Sequence, residues 1–178
     1  ASVGYVRAPG LRSGGARVYP VGCVSIGQKG ERLTEIGEMV EAGAVAITDD
    51  GRPVGDSGLM RVALRYSQSF GIPVADHCED KALARGGSMN EGLVSTRLGL
   101  RGIPNASEDV MIARDLILAE LTGGRIHIQH VSTRLGVELI RQAKARGIRV
   151  TAEATPHHFS LTDEAADGYR TEAKVNLP

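Results

Sequence analysis

Two short apolar runs end in histidine, Pro73-Val74-Ala75-Asp76-His77 and Ile126-His127-Ile128-Gln129-His130, and a third, Ala44-Val45-Ala46-Ile47-Thr48, runs into Asp49-Asp50. Imidazole nitrogen and carboxylate oxygen both suit zinc-like ions, and parallel barrels and sheets gather such side chains from the ends of several strands. The pattern predicts a divalent-metal site built from Asp50, His77 and His130. Asp49-Asp50-Gly51 read alone is turn chemistry, and Asp56-Ser57 can cap the following helix. Read beside two strand-end histidines, one of the two aspartates becomes a ligand. Asp50 is the natural bridging group, since a carboxylate can hold two cations through its two oxygens. Neighbouring side chains at a strand end diverge, so Asp49 is expected to matter far less.

The remaining reactive side chains carry weaker signals. On the last run Ile126, Ile128 and His130 share a face and His127 takes the other, which leaves His130 to point into the site. Pro156 makes a turn ahead of His157-His158, so that pair reads as supporting or packing residues. Cys78 follows His77 and is conceivable as a thiolate ligand or nucleophile, but it should point away from the histidine's face. Glu79 and Asp80 could do acid or base work, or could cap a helix. No glycine pattern runs from a strand into a helix as a phosphate cradle requires.

These residues need a repeated βα frame. Apolar runs of strand length alternate with segments of helical period, the pattern of a parallel sheet or barrel. Strands are expected at Val18–Val24, Ala44–Thr48, Pro73–His77, Arg125–His130, Arg149–Ala154 and Ala173–Asn176, and helices at Glu31–Ala42, Ser57–Phe70, Ser107–Thr122 and Thr133–Arg146. Gly43, Gly71, Gly123 and Gly147 fall where left-handed helix caps belong. In the third helix Val110, Ala113, Ile117 and Leu121 form a stripe that excludes Glu108, Asp115 and Glu120, and this stripe should face the sheet. The stretch from Cys78 to Asn105 shows no period and reads as a lid or binding loop over the active face.

Composition narrows the partners. Lysine and arginine (21) balance aspartate and glutamate (21), and aromatic residues make up 3% of the chain. Neither a basic field nor stacking platforms for nucleic acid follow from this. No run has the length of a membrane span. Cys23 and Cys78 sit in unrelated runs and predict no disulfide framework. The 42% apolar content suits one globular domain, here residues 1–178, in the cytoplasm. Ala1 in place of methionine, and a strand just beginning at Lys174-Val175-Asn176-Leu177-Pro178, read as a segment of something longer.

At this level of detail the chain resembles the class I dihydroorotases of bacteria, in the amidohydrolase superfamily. The resemblance rests on residues 42–51 (AGAVAITDDG), Asp76-His77-Cys78-Glu79-Asp80, His130-Val131-Ser132-Thr133, residues 150–158 (VTAEATPHH) and Lys174-Val175-Asn176-Leu177-Pro178. It implies an α/β fold, a (β/α)8 TIM-type barrel of which this chain covers roughly the middle six strands. It also implies one or two zinc ions, with Asp50 touching both and His77 and His130 on the second, and Asn176 in contact with substrate. The substrates implied are N-carbamoyl-L-aspartate and L-dihydroorotate, interconverted in pyrimidine synthesis. Hydantoinases, dihydropyrimidinases and allantoinases, which carry a carboxylated lysine where Asp50 stands, are the alternative. A non-catalytic scaffold for aspartate transcarbamoylase is another. The family's His-x-His pair, its substrate-holding arginine and asparagine, and its proton-shuttling aspartate have no counterpart here. The general base is expected downstream, the segment alone is expected to be inactive, and a homo-oligomer is expected.

Overall fold

The computed structural model describes residues 3–6, 15 and 17–175. Five short strands form one parallel sheet: β1 (Val21–Gly22), β2 (Ala46–Ile47), β3 (Val74–Asp76), β6 (Ile126–Ile128) and β7 (Val150–Ala152). Their order across the sheet, β1-β2-β3-β6-β7, is also their order along the chain. A doubly wound sheet reverses direction at a switch point, whereas this sheet never does, so it is an arc of a singly wound (β/α) barrel.

The helices between the strands are α1 (Ile36–Glu41), α2 (Ser57–Gln68), α4 (Ala106–Thr122) and α5 (Arg134–Ala145). Their starts follow from local chemistry. The Asp56 side chain accepts the Leu59 amide at the head of α2, and Thr133 accepts the Gly136 amide at the head of α5. The glycines expected as caps, Gly43, Gly71, Gly123 and Gly147, all have positive φ. α1 is shorter than expected, because residues 31–35 are held against residues 23–26: Leu33 bridges antiparallel to Ser25, the Thr34 amide donates to the Val24 carbonyl at 3.0 Å, and the Thr34 hydroxyl donates to the Cys23 carbonyl at 2.6 Å.

The core lies between helices and sheet. Val74, Ile126, Ile128 and Val150 pack with Met60, Leu64, Ile112, Leu116, Ile140 and Ala143. On the opposite face the paired residues Ala75, His127 and Thr151 lie side by side, with His127 part-exposed and Thr151 exposed. Among the described residues no helix is long and apolar enough to cross a membrane.

Three expectations need correction. The Cys78 to Asn105 stretch is not a structureless loop: it holds β4 (Met89–Asn90), α3 (Leu93–Leu98) and β5 (Gly102–Ile103), with β4 and β5 paired in parallel. Strands of two residues have no period to read, and Gly102 is there for space, since a Cβ would come within 2.5 Å of the Glu91 Cα. The inward stripe of α4 is also different. Met111, Ile112, Leu116 and Ala119 are buried together with Glu108 and Asp115, while Val110, Ile117 and Leu121 are exposed. Finally, the sixth strand does not form at Ala173, which closes a 3-10 turn, Thr171–Ala173; Asn176 lies outside the described residues.

α4 and α5 approach each other at Gly136, where a Cβ would meet Ile112 Cδ1 and Thr133 Oγ1, each at 2.7 Å. Gly136→Ala should therefore destabilise the protein by about 1–3 kcal/mol through overpacking, although alanine is the better helix former. A denaturant melt showing the variant more stable than the parent would mean that the contact yields freely.

Candidate metal centre

The sheet register decides which side chains meet. Asp76 pairs with Ile128 and so faces the helices, which turns the next residue, His77, to the other face. Thr48 and Gln129 reach the same place, the Thr48 hydroxyl donating to Gln129 Oε1 at 3.2 Å. Asp49 then turns back into the protein, and Asp50 turns out again. Asp49 is buried, and its carboxylate accepts the amides of Val24 at 2.9 Å and Ser25 at 3.0 Å as well as the Ser25 hydroxyl. Asp49 thus faces away from the other strand-end ligands, as expected, and takes a structural role that the sequence did not announce: it ties the exit of β2 to the exit of β1. The Asp50 amide donates to Thr48 Oγ1 at 3.1 Å, and its carboxylate is exposed.

His130 departs from simple alternation. Ile126 and Ile128 face the core as expected, but His130 lies beyond the strand, with φ 36. A left-handed turn is unfavourable for a residue carrying a Cβ. It swings the imidazole to His77, whose Nδ1 lies 2.9 Å from His130 Nε2, one nitrogen donating and the other accepting. Donor atoms of Asp50, His77 and His130 all lie within 4.8 Å of one another. Two imidazoles and a carboxylate are a donor set for a zinc-like ion.

The surroundings fit such a cation. His130 Nδ1 is buried without a hydrogen-bond partner, an arrangement that calls for a further ligand. Burial, helped by the nearby His77, holds the His130 imidazole below its ordinary pKa, so it is neutral with a lone pair to offer. His77 Nε2 lies 3.1 Å from Glu79 Oε2, and Glu79 in turn pairs with Lys81. Burial works to raise the Glu79 carboxyl, yet the hydrogen bonds from Lys81 and His77 outweigh it and hold the group below its usual range. Glu79 thereby orients the His77 ring as a supporting carboxylate does.

His158 was not distinguished from His157 by sequence. Pro156 opens α6 (Pro156–Ser160), and this turn carries the His158 ring to 6.5 Å from that of His130 while His157 stays exposed. His158 Nε2 is likewise buried and unpartnered. His127 binds Thr151 Oγ1 through Nδ1 at 2.8 Å and stands apart from the cluster. A proline followed by two histidines was the available signal, but it could not say which ring turns inward.

Cys78 joins a second buried group. Its thiol donates to Asp76 at 3.8 Å and Asp115 at 3.6 Å, and Arg114 pairs with both carboxylates, at 3.3 Å and 2.6 Å. Burial, with Asp115 beside it, pushes the thiol well above its ordinary pKa, which favours the protonated, hydrogen-bond-donating form.

Asp49→Ala should strand two buried amides and a hydroxyl and cost about 3 kcal/mol of stability, whereas truncating exposed Asp50 should change stability by about 0.5 kcal/mol or less. Equal midpoints for the two variants in urea would refute this division.

A family model described as Dihydro-orotase-like matches residues 5–135. The chain is 59% identical over 178 residues to a protein named dihydroorotase from Pelotomaculum thermopropionicum, and 58% identical over 178 residues to one so named from Acetivibrio thermocellus. In each case the match covers 100% of this chain and 42% of the relative, so the chain spans about two fifths of the length of these relatives. Among solved structures, the L-hydantoinase (dihydropyrimidinase) from Arthrobacter aurescens aligns with a TM-score of 0.65 at 26% identity, over 83% of this chain and 34% of that one. With the family model matching residues 5–135 and relatives at 58–59% identity over the whole chain, the chain belongs to the dihydroorotase-like family.

Proposed function

We propose that this chain contributes part of the active site of a zinc-dependent dihydroorotase, which interconverts N-carbamoyl-L-aspartate and L-dihydroorotate. The observation that carries this reading is the convergence of Asp50, His77 and His130 in a chain 59% identical to a protein named dihydroorotase. Asp50, His77 and His130 would hold the metal. The chemistry such an ion supplies when bound is a water acidified to a pKa of about 7 and a Lewis acid for a carbonyl oxygen.

The chain's own residues prepare that chemistry. Burial keeps His130 neutral, so no proton has to leave before its nitrogen can coordinate. Glu79 fixes the His77 ring through Nε2, and Lys81 fixes Glu79. Asp49 and Thr48 hold the backbone from which Asp50 projects. Asn176 is assigned to substrate contact by resemblance alone. The aspartate at position 50, where hydantoinases and allantoinases carry a carboxylated lysine by the same resemblance, favours dihydroorotate over hydantoin and allantoin.

The test uses full-length protein, zinc analysis and assays with dihydroorotate, hydantoin and allantoin. Asp50→Ala, His77→Ala and His130→Ala should each lose metal and lower turnover by about 100-fold or more, beyond what loss of a supporting residue costs. Hydrolysis of hydantoin or allantoin in preference to dihydroorotate would overturn the substrate assignment. Unchanged metal content in all three variants would overturn the site.

A further inference from the structure

The first turn of α4 touches both loops that carry the paired histidines. The Ser107 carbonyl accepts the Asp80 amide at 2.7 Å, on the loop that follows His77. The Glu108 carboxylate accepts the Ser132 amide at 2.9 Å and the Thr133 amide at 2.7 Å, two and three residues beyond His130, while the Val131 amide in between donates to the Glu153 carbonyl at 2.8 Å. Asp109 Oδ1 accepts the Thr133 hydroxyl at 2.6 Å. One helical turn therefore brackets the two histidine loops.

Glu108 is only 1% exposed, and a buried carboxylate is unfavourable unless its oxygens are satisfied. Helix capping does not account for it. The head of α5 is already capped by Thr133, whose hydroxyl takes the Gly136 amide. Glu108 instead takes the amides of Ser132 and Thr133, which precede the first turn of α5. Its hold falls on the segment leaving His130, where φ is 36. Such a turn persists only where the surroundings over-determine it.

We infer that Glu108 is a positioning residue: by anchoring residues 132 and 133 it maintains the left-handed turn at His130 and, through the bond from Asp80 to Ser107, the spacing of His130 from His77. The inference rests on the metal-site reading above. Glu108 itself touches neither imidazole among its hydrogen-bond partners.

The experiment uses full-length protein stripped of metal. Zinc affinity is measured against a chromophoric chelator, and the visible spectrum of the cobalt-substituted protein is recorded. Glu108→Ala should weaken zinc binding by about tenfold or more and alter the cobalt spectrum. Glu108→Gln, which retains an acceptor oxygen for the two amides, should recover most of the affinity. Leu64→Ala, a core truncation distant in sequence from both loops, should lower the melting temperature while leaving zinc affinity unchanged. Parental affinity and spectrum in Glu108→Ala would overturn the inference, as would an equal loss of affinity in Leu64→Ala. If Glu108→Ala fails to fold, Glu108→Asp and Glu108→Gln carry the test: weakened zinc binding in Glu108→Asp with recovery in Glu108→Gln supports the inference, and parental affinity in both overturns it. If the parent protein binds no zinc, the metal-site reading falls and the inference falls with it.

Discussion

The candidate site depends on the register between β3 and β6. Ala75 lies opposite His127 and Asp76 opposite Ile128, so the next residues on each strand, His77 and Gln129, emerge together on the face away from the helices. A slip of one residue would exchange the faces of an entire strand. The register is held by what each face demands: Val74, Ile126 and Ile128 are buried in the helix-packed core, and His77 and Gln129 have polar company on the other side. The same packing that stabilises the arc thus sets which side chains meet at its rim.

Behind the rim a second constraint fixes where β3 ends. Asp76 and Asp115 share Arg114, with Cys78 donating to both carboxylates and the Val54 amide donating to Asp76. Arg114 also reaches the carbonyls of Val54 and Gly55, so the exits of β2 and β3 are joined through one guanidinium on α4. Burial raises both aspartates above the usual carboxylate range, with Asp115 adding to the effect on Asp76 and Arg114 opposing it on both. Such networks are seldom the most stable way to fill a core, but breaking one leaves an uncompensated charge. Asp76 and Cys78 flank His77, so this group secures the backbone on either side of a proposed ligand.

Much of this was legible in sequence, and the failures have particular causes. Strand-end positions gave Asp50, His77 and His130, and alternation separated Asp49 from Asp50 because β2 keeps its extended course to the turn. Alternation could not account for His130, since a left-handed histidine leaves no mark in residue type. The elements between Cys78 and Asn105 were invisible because strands of two residues have no period and the glycine at 102 serves close approach. The structural role of Asp49 was invisible for a related reason: its partners just past β1, Val24 and Ser25, are more than twenty residues away, and no local pattern announces them.

The error about α4 is the most informative, because the helix has aliphatic residues on both faces and a choice of which to bury. Turning Val110, Ile117 and Leu121 inward would have buried an apolar stripe, but with it Arg114, which lies on the same side of the helix. Instead the helix buries Glu108 and Asp115 and leaves those three residues exposed. Met111, Ile112, Leu116 and Ala119 go inward with the two acids, and the two buried carboxylates are unfavourable unless they are bonded. This orientation is held by bonds that exist only this way round: Arg114 to Asp76, the Glu108 carboxylate to the amides after His130, and the Ser107 carbonyl to the amide of Asp80. Every one of these ends on a strand exit or a loop beside a candidate ligand. A local rule broken in favour of such contacts is the expected signature of a functional site, and here the rotation of one helix links the polar core to the geometry of the rim.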